Sequence, residues 1–251
     1  MASTGPSAPA FAYSPRLDRA LALAAIAHAG QERKGTAVPY VTHPFHVAMI
    51  LQRHGFSDDL VVAAVLHDVL EDIRPERPGM RDALADTFPE MAHAPAAPAG
   101  FMASLEQLLK REFSDGVTAL VRGVTDITEL DGRRLTSREK RALKLEELRG
   151  PATPAAVLAL KAADAIHNAR SITNDLRARG LAVMARFRTG PSAKLQWYED
   201  ILRAAGPRLA AEHPALVEEL RDAVTTLARE LTMQLGQAHE DVRRELEALD
   251  R

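Results

Sequence analysis

Apolar positions recur along this chain at three- and four-residue intervals, and Gly, Pro and polar clusters separate the runs. That is the period of helices with one buried face. Leu17, Leu21, Ala24, Ala25 and Ile26 predict a first helix from about Pro15 to Ala29, followed by a polar loop from Gly30 to Pro39. Pro44 suits the first position of a second helix, which Gly55 ends after His54. Leu60 to Leu66 is apolar on every side and reads as a buried helix, with Ser57 placed to cap it and His67 to Asp72 continuing it.

The pattern then lapses. From Arg74 to about Ala103 the chain carries an Ala/Pro run, Ala92 to Gly100, that reads as a surface excursion rather than a regular helix. Periodicity resumes around Leu105 to Phe113, and Ser114 or Asp115 can cap a helix through Val124. Asp126 to Leu135 is a polar connector, and Ser137 is placed to cap Arg138 to Leu148. Pro151 and Pro154 break the chain before a long helix bearing Asp164 and Asn168, and Asn174 to about Phe187 comes next. After Gly190-Pro191 a helix carries Leu195, Trp197, Tyr198, Ile201 and Leu202, whose aromatic residues suit a core better than a stacking platform. From Pro214, Leu216, Leu220, Val224, Leu227, Leu231 and Leu235 form an amphipathic stripe, which either docks on the domain or pairs with a second copy. Gly236 is expected to interrupt it before a final charged helix.

Composition agrees with this all-α reading. The 251 residues are 46% hydrophobic but only 4% aromatic, so Ala and Leu carry the packing. The length suits one large domain, or one domain with additions. Residues 1–14 read as a flexible tail, 15–205 as the domain with its insertion at about 74–103, and 206–251 as a helical extension. A net charge of −2 offers no bulk attraction to nucleic acid. The absence of cysteine excludes a disulfide framework, a thiolate metal site and a cysteine nucleophile. No apolar run reaches membrane-spanning length, and the start lacks the basic and apolar regions of a signal peptide, so a soluble cytoplasmic protein is expected.

The chemistry gathers around His67-Asp68-Val69-Leu70-Glu71-Asp72. On a continuous helix His67 and Glu71 stack one turn apart, as do Asp68 and Asp72. Carboxylates at that density beside a buried helix need a compensating cation. His43, at the entrance of the second helix, is a rigid place for a ligand, and Asp164 stands four residues before Asn168 on one helical face. Two His nitrogens from His43 and His67 with oxygens from Asp68 and Asp164 suit Mn²⁺, Fe²⁺ or Zn²⁺ better than Ca²⁺. His46 competes with His43 by spacing alone, and His28 reads as a core histidine bonded to backbone. Arg33 and Lys34 in the polar loop, and Arg74, Arg77 and Arg81 in the insertion, are candidate phosphate contacts.

The ordered motifs Ala27 to Gly35, Pro39 to Pro44, His67 to Asp72, Val121 to Asp126 and Lys161 to Asn168 resemble the hydrolase domain of the RelA/SpoT alarmone enzymes, within the HD superfamily of metal-dependent phosphohydrolases. The resemblance covers roughly residues 16–73 and 112–205. It implies an all-α HD bundle in which His43, His67, Asp68 and Asp164 hold one Mn²⁺, and Glu71 and Asp72 orient and deprotonate the attacking water. Arg33, Lys34, Asn168 and Ser171 would hold a guanine nucleotide, with Arg33 packed on the base. The implied reaction removes the 3′-pyrophosphate of guanosine tetra- or pentaphosphate. The 2′-phosphate of NADPH, a nucleoside monophosphate, a non-catalytic regulatory module and a purely structural metal are the competing readings. Two departures stand out: the insertion after Asp72, and Ala165 where relatives often carry a basic residue. The residues after Ala205 are too few for a second nucleotide-binding domain, so alarmone synthesis by this chain is not expected.

Overall fold

The computed structural model describes residues 14–130, 132–187 and 189–249, with side chains described as far as residue 237. Eleven α-helices run through these residues: α1 Pro15–Ala27, α2 Thr42–Arg53, α3 Asp58–Leu66, α4 Val69–Asp72, α5 Met80–Thr87, α6 Pro98–Glu112, α7 Asp115–Val124, α8 Ser137–Arg149, α9 Ala155–Arg179, α10 Pro191–Leu209 and α11 Pro214–Leu249. The connector after α7 folds into a two-stranded antiparallel hairpin, β1 Glu129–Leu130 against β2 Arg133–Arg134. No helix among the described residues is long and apolar enough to cross a membrane.

The bundle is assembled around α9, which packs against α2, α3, α7, α10 and α11. Its first half is buried almost all round, and alanines 159, 162, 163 and 165 let neighbouring helices approach closely on several sides. Gly123 completes the contact with α7, because a Cβ there would stand 2.7 Å from Val157 Cγ2. The alanine-rich, aromatic-poor composition is thus the means by which one helix sits at the centre of five.

Several local expectations change. The helix through His67 is broken: α3 stops at Leu66, His67 and Asp68 form a turn, and α4 restarts with Asp72 N–H donating to the Asp68 carbonyl at 2.9 Å. The His67 Nδ1–H donates to the Ala64 carbonyl at 2.7 Å, the acceptor that a continuing helix would offer to Asp68 N–H. Pro44 sits two residues inside α2, in a first turn whose N–H groups have no intrahelical partner anyway. Thr136, not Ser137, caps α8, in a reciprocal capping box with Glu139. The α9 helix runs past Asn174 to Arg179, and only Leu181–Arg186 forms a separate 3₁₀ turn. On α1, Ala25 is exposed while Ala20, Leu23, Ala24 and Ala27 are buried.

Within the segment after Asp72 the Ala92–Gly100 run is largely exposed and forms no α-helix before Pro98, as expected, but the residues flanking it join the core. Met80, Leu84, Phe88, Met91 and Phe101 are all buried in the common core, and Pro98 opens α6 at the position where proline is tolerated. Its three arginines are taken up by backbone carbonyls. Arg74 donates to the carbonyls of Glu71 and Ile73, Arg77 to that of Ala29 and Arg81 to that of Ala94.

The stripe on α11 docks on its own chain. Leu216, Val217, Leu220, Val224, Leu227 and Leu231 are buried where α11 meets α9 and α10. Glu219 adds polar ties, accepting from Arg53, His54 and Arg170. Gly236 does not interrupt this helix. A mid-helix glycine costs only about 1 kcal/mol against alanine, and docking of the preceding turns outweighs it.

Candidate metal centre and adjoining cavities

His43 comes from the first turn of α2, His67 and Asp68 from the turn between α3 and α4, and Asp164 from the middle of α9. The break after Leu66 matters here, because it turns His67 and Asp68 towards the same point. One ligand atom each from His43, His67 and Asp68 lies within 4.8 Å of the others. His67 Nε2 is 3.2 Å and His43 Nε2 3.7 Å from Asp68 Oδ2. Asp164 joins through His43, with Oδ1 at 3.3 Å from Nε2. Its other oxygen accepts from Lys161 Nζ at 3.0 Å.

The outer contacts orient the two imidazoles. His67 spends Nδ1–H on the Ala64 carbonyl, leaving Nε2 with a lone pair directed at the cluster. His43 Nδ1 lies 2.8 Å from His167 Nδ1, so its Nε2 also faces inward. Burial pushes His167 down to about 3, with His43 adding to the effect, so His167 is neutral. Burial likewise lowers His43, although Asp164 and Asp68 oppose it. Burial would raise Asp68 and Asp164, but His67 beside the first and Lys161 beside the second hold both carboxyls below their ordinary values. His67 itself is driven down by burial and raised by Asp68, with a net value of about 9.

These observations test the fit of a divalent cation. His67 Nε2 is buried and has no hydrogen-bond partner. Leaving such an atom unmade costs about 1–3 kcal/mol. Two imidazole nitrogens and the Asp68 carboxylate gather there, with Asp164 adjoining through His43, and a cation there would replace the proton that otherwise balances Asp68. The donor set fits a divalent ion.

Glu71 and Asp72 flank Asp68 on different sides. Glu71 Oε1 accepts from the Asp126 N–H at 2.7 Å. Burial and the nearby Asp68 raise its carboxyl to about 7. Asp72 lies 3.7 Å from the ring of His28, and burial and Asp68 raise it too. His28 is buried as expected, but its Nδ1 pairs with the Gln31 side chain at 2.7 Å rather than with backbone. His46 stands outside the cluster, exposed and stacked on His167 with ring centroids 5.0 Å apart.

Sequence reasoning missed four members of this shell: Tyr40, whose hydroxyl donates to Asp68 at 2.8 Å, with Lys161, His167 and Asp126. All lie within or beside the motifs, yet spacing alone does not say which way a side chain turns. Asn168 bridges outward, donating to Asp164 and accepting from Arg33 Nη2 at 3.0 Å. Arg33, Lys34, Asn168 and Ser171 together line a cavity of about 170 Å³ beside the cluster. A wider cavity of about 730 Å³, walled by His46, Met49, Ile50 and His167, shares Ser171 with it.

Comparison with known proteins agrees with the geometry. Residues 20–188 match the family described as the HD domain. The bifunctional (p)ppGpp synthase/hydrolase SpoT of Escherichia coli K12 is 32% identical over 161 residues, covering 62% of this chain and 18% of that protein. The guanosine-3′,5′-bis(diphosphate) 3′-pyrophosphohydrolase of Aquifex aeolicus is 28% identical over 160 residues, covering 64% and 18%. The chain thus spans less than a fifth of the length of these curated relatives. A solved structure of a metazoan ortholog of SpoT, described as hydrolysing ppGpp, superposes with a TM-score of 0.58 at 22% identity, over 85% of this chain and 96% of that one, a likeness of fold. With the family match extending over most of the chain, and the His43 and His67-Asp68 side chains clustered in an all-α bundle with Asp164 against His43, the protein belongs to the HD domain family.

Proposed function

We propose that this chain is a metal-dependent (p)ppGpp hydrolase, cleaving guanosine tetra- or pentaphosphate to GDP or GTP and pyrophosphate, with Mn²⁺ as its metal. The observation that carries the reading is the buried His67 Nε2, without a hydrogen-bond partner, clustered with His43 and Asp68 beside Asp164 and next to a cavity lined by Arg33, Lys34, Asn168 and Ser171. The relatives named for this reaction support the choice of substrate.

A divalent ion held by His43, His67, Asp68 and Asp164 would polarise a phosphoryl oxygen and acidify a water. The chain's own residues do the rest. Glu71 is the better base of the acidic pair: Asp126 N–H holds one oxygen, and a carboxyl raised to about 7 can both take and give a proton near neutrality. Asp72, against His28, orients the water from the other side. Asn168 and Ser171 hydrogen-bond the ribose side of the ligand, and Arg33, freed from Asn168, packs on the base while Lys34 attracts phosphate.

The test is product analysis with the Mn²⁺-loaded chain. GDP and pyrophosphate are expected from guanosine tetraphosphate. Arg33→Ala should raise KM more than it lowers kcat. Release of single orthophosphates, or a clear preference for NADPH, would overturn the substrate while leaving the metal centre in place.

A further inference from the structure

The 170 Å³ cavity has an inner wall that sequence reasoning did not mark: Arg186 from the 3₁₀ turn after α9, and Lys194 and Tyr198 from α10. Three polar atoms on this wall are buried with no hydrogen-bond partner, Arg186 Nε, Arg186 Nη1 and Tyr198 Oη. Tyr198 is only 1% exposed. The remaining guanidinium nitrogen, Nη2, donates to Asp175 at 2.5 Å and fixes the fork in place. The Lys194 ammonium sits among the same groups, 5.1 Å from the ring centre of Phe187 and 5.2 Å from that of Tyr198. The polar loop closes over this wall at Gly35, whose φ of +73° and missing Cβ let it lie on the Arg186 stem, where a Cβ would stand 2.9 Å from Cδ.

The chemistry of the unpaired atoms specifies their partner. Guanidinium and ammonium N–H groups can only donate. Burial and the charge of Asp164 raise the Tyr198 hydroxyl's pKa, keeping it a donor. A nucleobase edge presents donors as well as acceptors and would match this wall poorly. A phosphate presents acceptors alone, in a geometry that a guanidinium fork meets two at a time. The volume is smaller than the ~300–1,000 Å³ of a complete small-molecule site, so it takes part of a ligand. The rest of that ligand reaches the metal centre, because Tyr40 and Asn168 line this cavity and also bond Asp68 and Asp164.

We infer that Arg186, Lys194 and Tyr198 form an anion subsite that holds the phosphate groups of the nucleotide that are not cleaved, the 5′-diphosphate. The inference rests on the proposed nucleotide substrate, and it makes this subsite the place where a nucleotide is told from a nucleoside.

Calorimetric titration of the metal-stripped full chain with pyrophosphate, GDP and guanosine tests it. Pyrophosphate should bind saturably, and GDP should bind at least about tenfold tighter than guanosine, the scale of one charged hydrogen bond. Lys194→Met, which leaves the Arg186–Asp175 pair intact, should remove that advantage without changing the affinity for guanosine. Tyr198→Phe should reduce it a few-fold, and His67→Ala should leave it unchanged. Circular dichroism and thermal melting show whether each variant is folded, and Tyr198→Phe carries the test if Lys194→Met is not. Equal affinity for GDP and guanosine, or pyrophosphate binding lost in His67→Ala but kept in Lys194→Met, would overturn the subsite. Pyrophosphate binding through Lys194 with no gain for GDP would make it a free-anion site and also overturn the assignment. If the GDP advantage depends on Lys194 but guanosine tetraphosphate is not hydrolysed, the subsite stands and the proposed reaction falls.

Discussion

The two walls of the candidate site handle buried charge in opposite ways. At the metal centre nearly every polar group is already answered from within the chain: Asp164 by Lys161 and Asn168, Asp68 by Tyr40, His43 by His167 and His67 by Ala64, with His67 Nε2 left over. At the Arg186 wall the excess is positive, and donors are left over instead. The first wall is organised around a point charge, since its ligand atoms converge from three directions. The second is organised around a diffuse anion, since its donors line a surface. On the proposed reading a cation and a phosphate chain would therefore be held by different physics, one by converging lone pairs and the other by spread donors.

Breaking the first wall should have the largest effect. His67→Ala or Asp68→Ala removes a converging ligand, so metal analysis after gel filtration should find the ion lost, and turnover should fall by several orders of magnitude with it. Full turnover after exhaustive chelation would remove the metal from the reaction. The next largest effect separates holding from chemistry. Glu71→Gln and Asp72→Asn should keep the metal and lose about a hundredfold or more in kcat, with Glu71 the more severe because its carboxyl is tuned to about 7. Loss of metal in either amide variant would make that residue a ligand rather than a base.

The smallest effect sharpens the second wall. Burial, and then Arg141, lower the Lys194 amine to about 8, with Lys161 and Lys34 lowering it further and Asp164 opposing. The amine is charged below that value and neutral above it. Anion affinity from this group is thus fully present at pH 7 and lost as pH rises through about 8. KM should climb on the order of tenfold between pH 7 and 9, with kcat changing little, because a bound phosphate raises the amine again. Lys194→Met should flatten that climb; an unaltered profile in the variant would show that another group carries it.

Much of the site was legible because helical families of side chains announce themselves by type and spacing. His43, His67-Asp68, Glu71-Asp72 and Asp164 stand out as ionisable residues in or beside apolar runs, where their burial demands a partner. The all-α architecture was equally visible, since the three- and four-residue period continues through most of the chain. What failed was local: the unbroken helix through His67, the cap at Ser137 and the stop at Gly236. A local bond to Ala64 broke the first, a capping box with Glu139 moved the second, and docking of α11 outweighed the glycine's cost of about 1 kcal/mol in the third.

By itself, then, the sequence determined that this protein is a helical bundle with an acidic and histidine-rich cluster able to hold a divalent ion, because periodicity and residue type are properties of the chain alone. Only the tertiary structure decided that Met80, Leu84, Phe88, Met91 and Phe101 join the core, that the α11 stripe closes on its own domain, and that Arg186 and Tyr198 present unpaired donors to a cavity shared with Arg33. Those are matters of direction and of what lies opposite. An arginine's spacing does not say whether it will cap a carbonyl, as Arg74, Arg77 and Arg81 do, or be left with unpartnered nitrogens, as Arg186 is. The difference arises only when distant segments pack and leave one guanidinium satisfied and the other not.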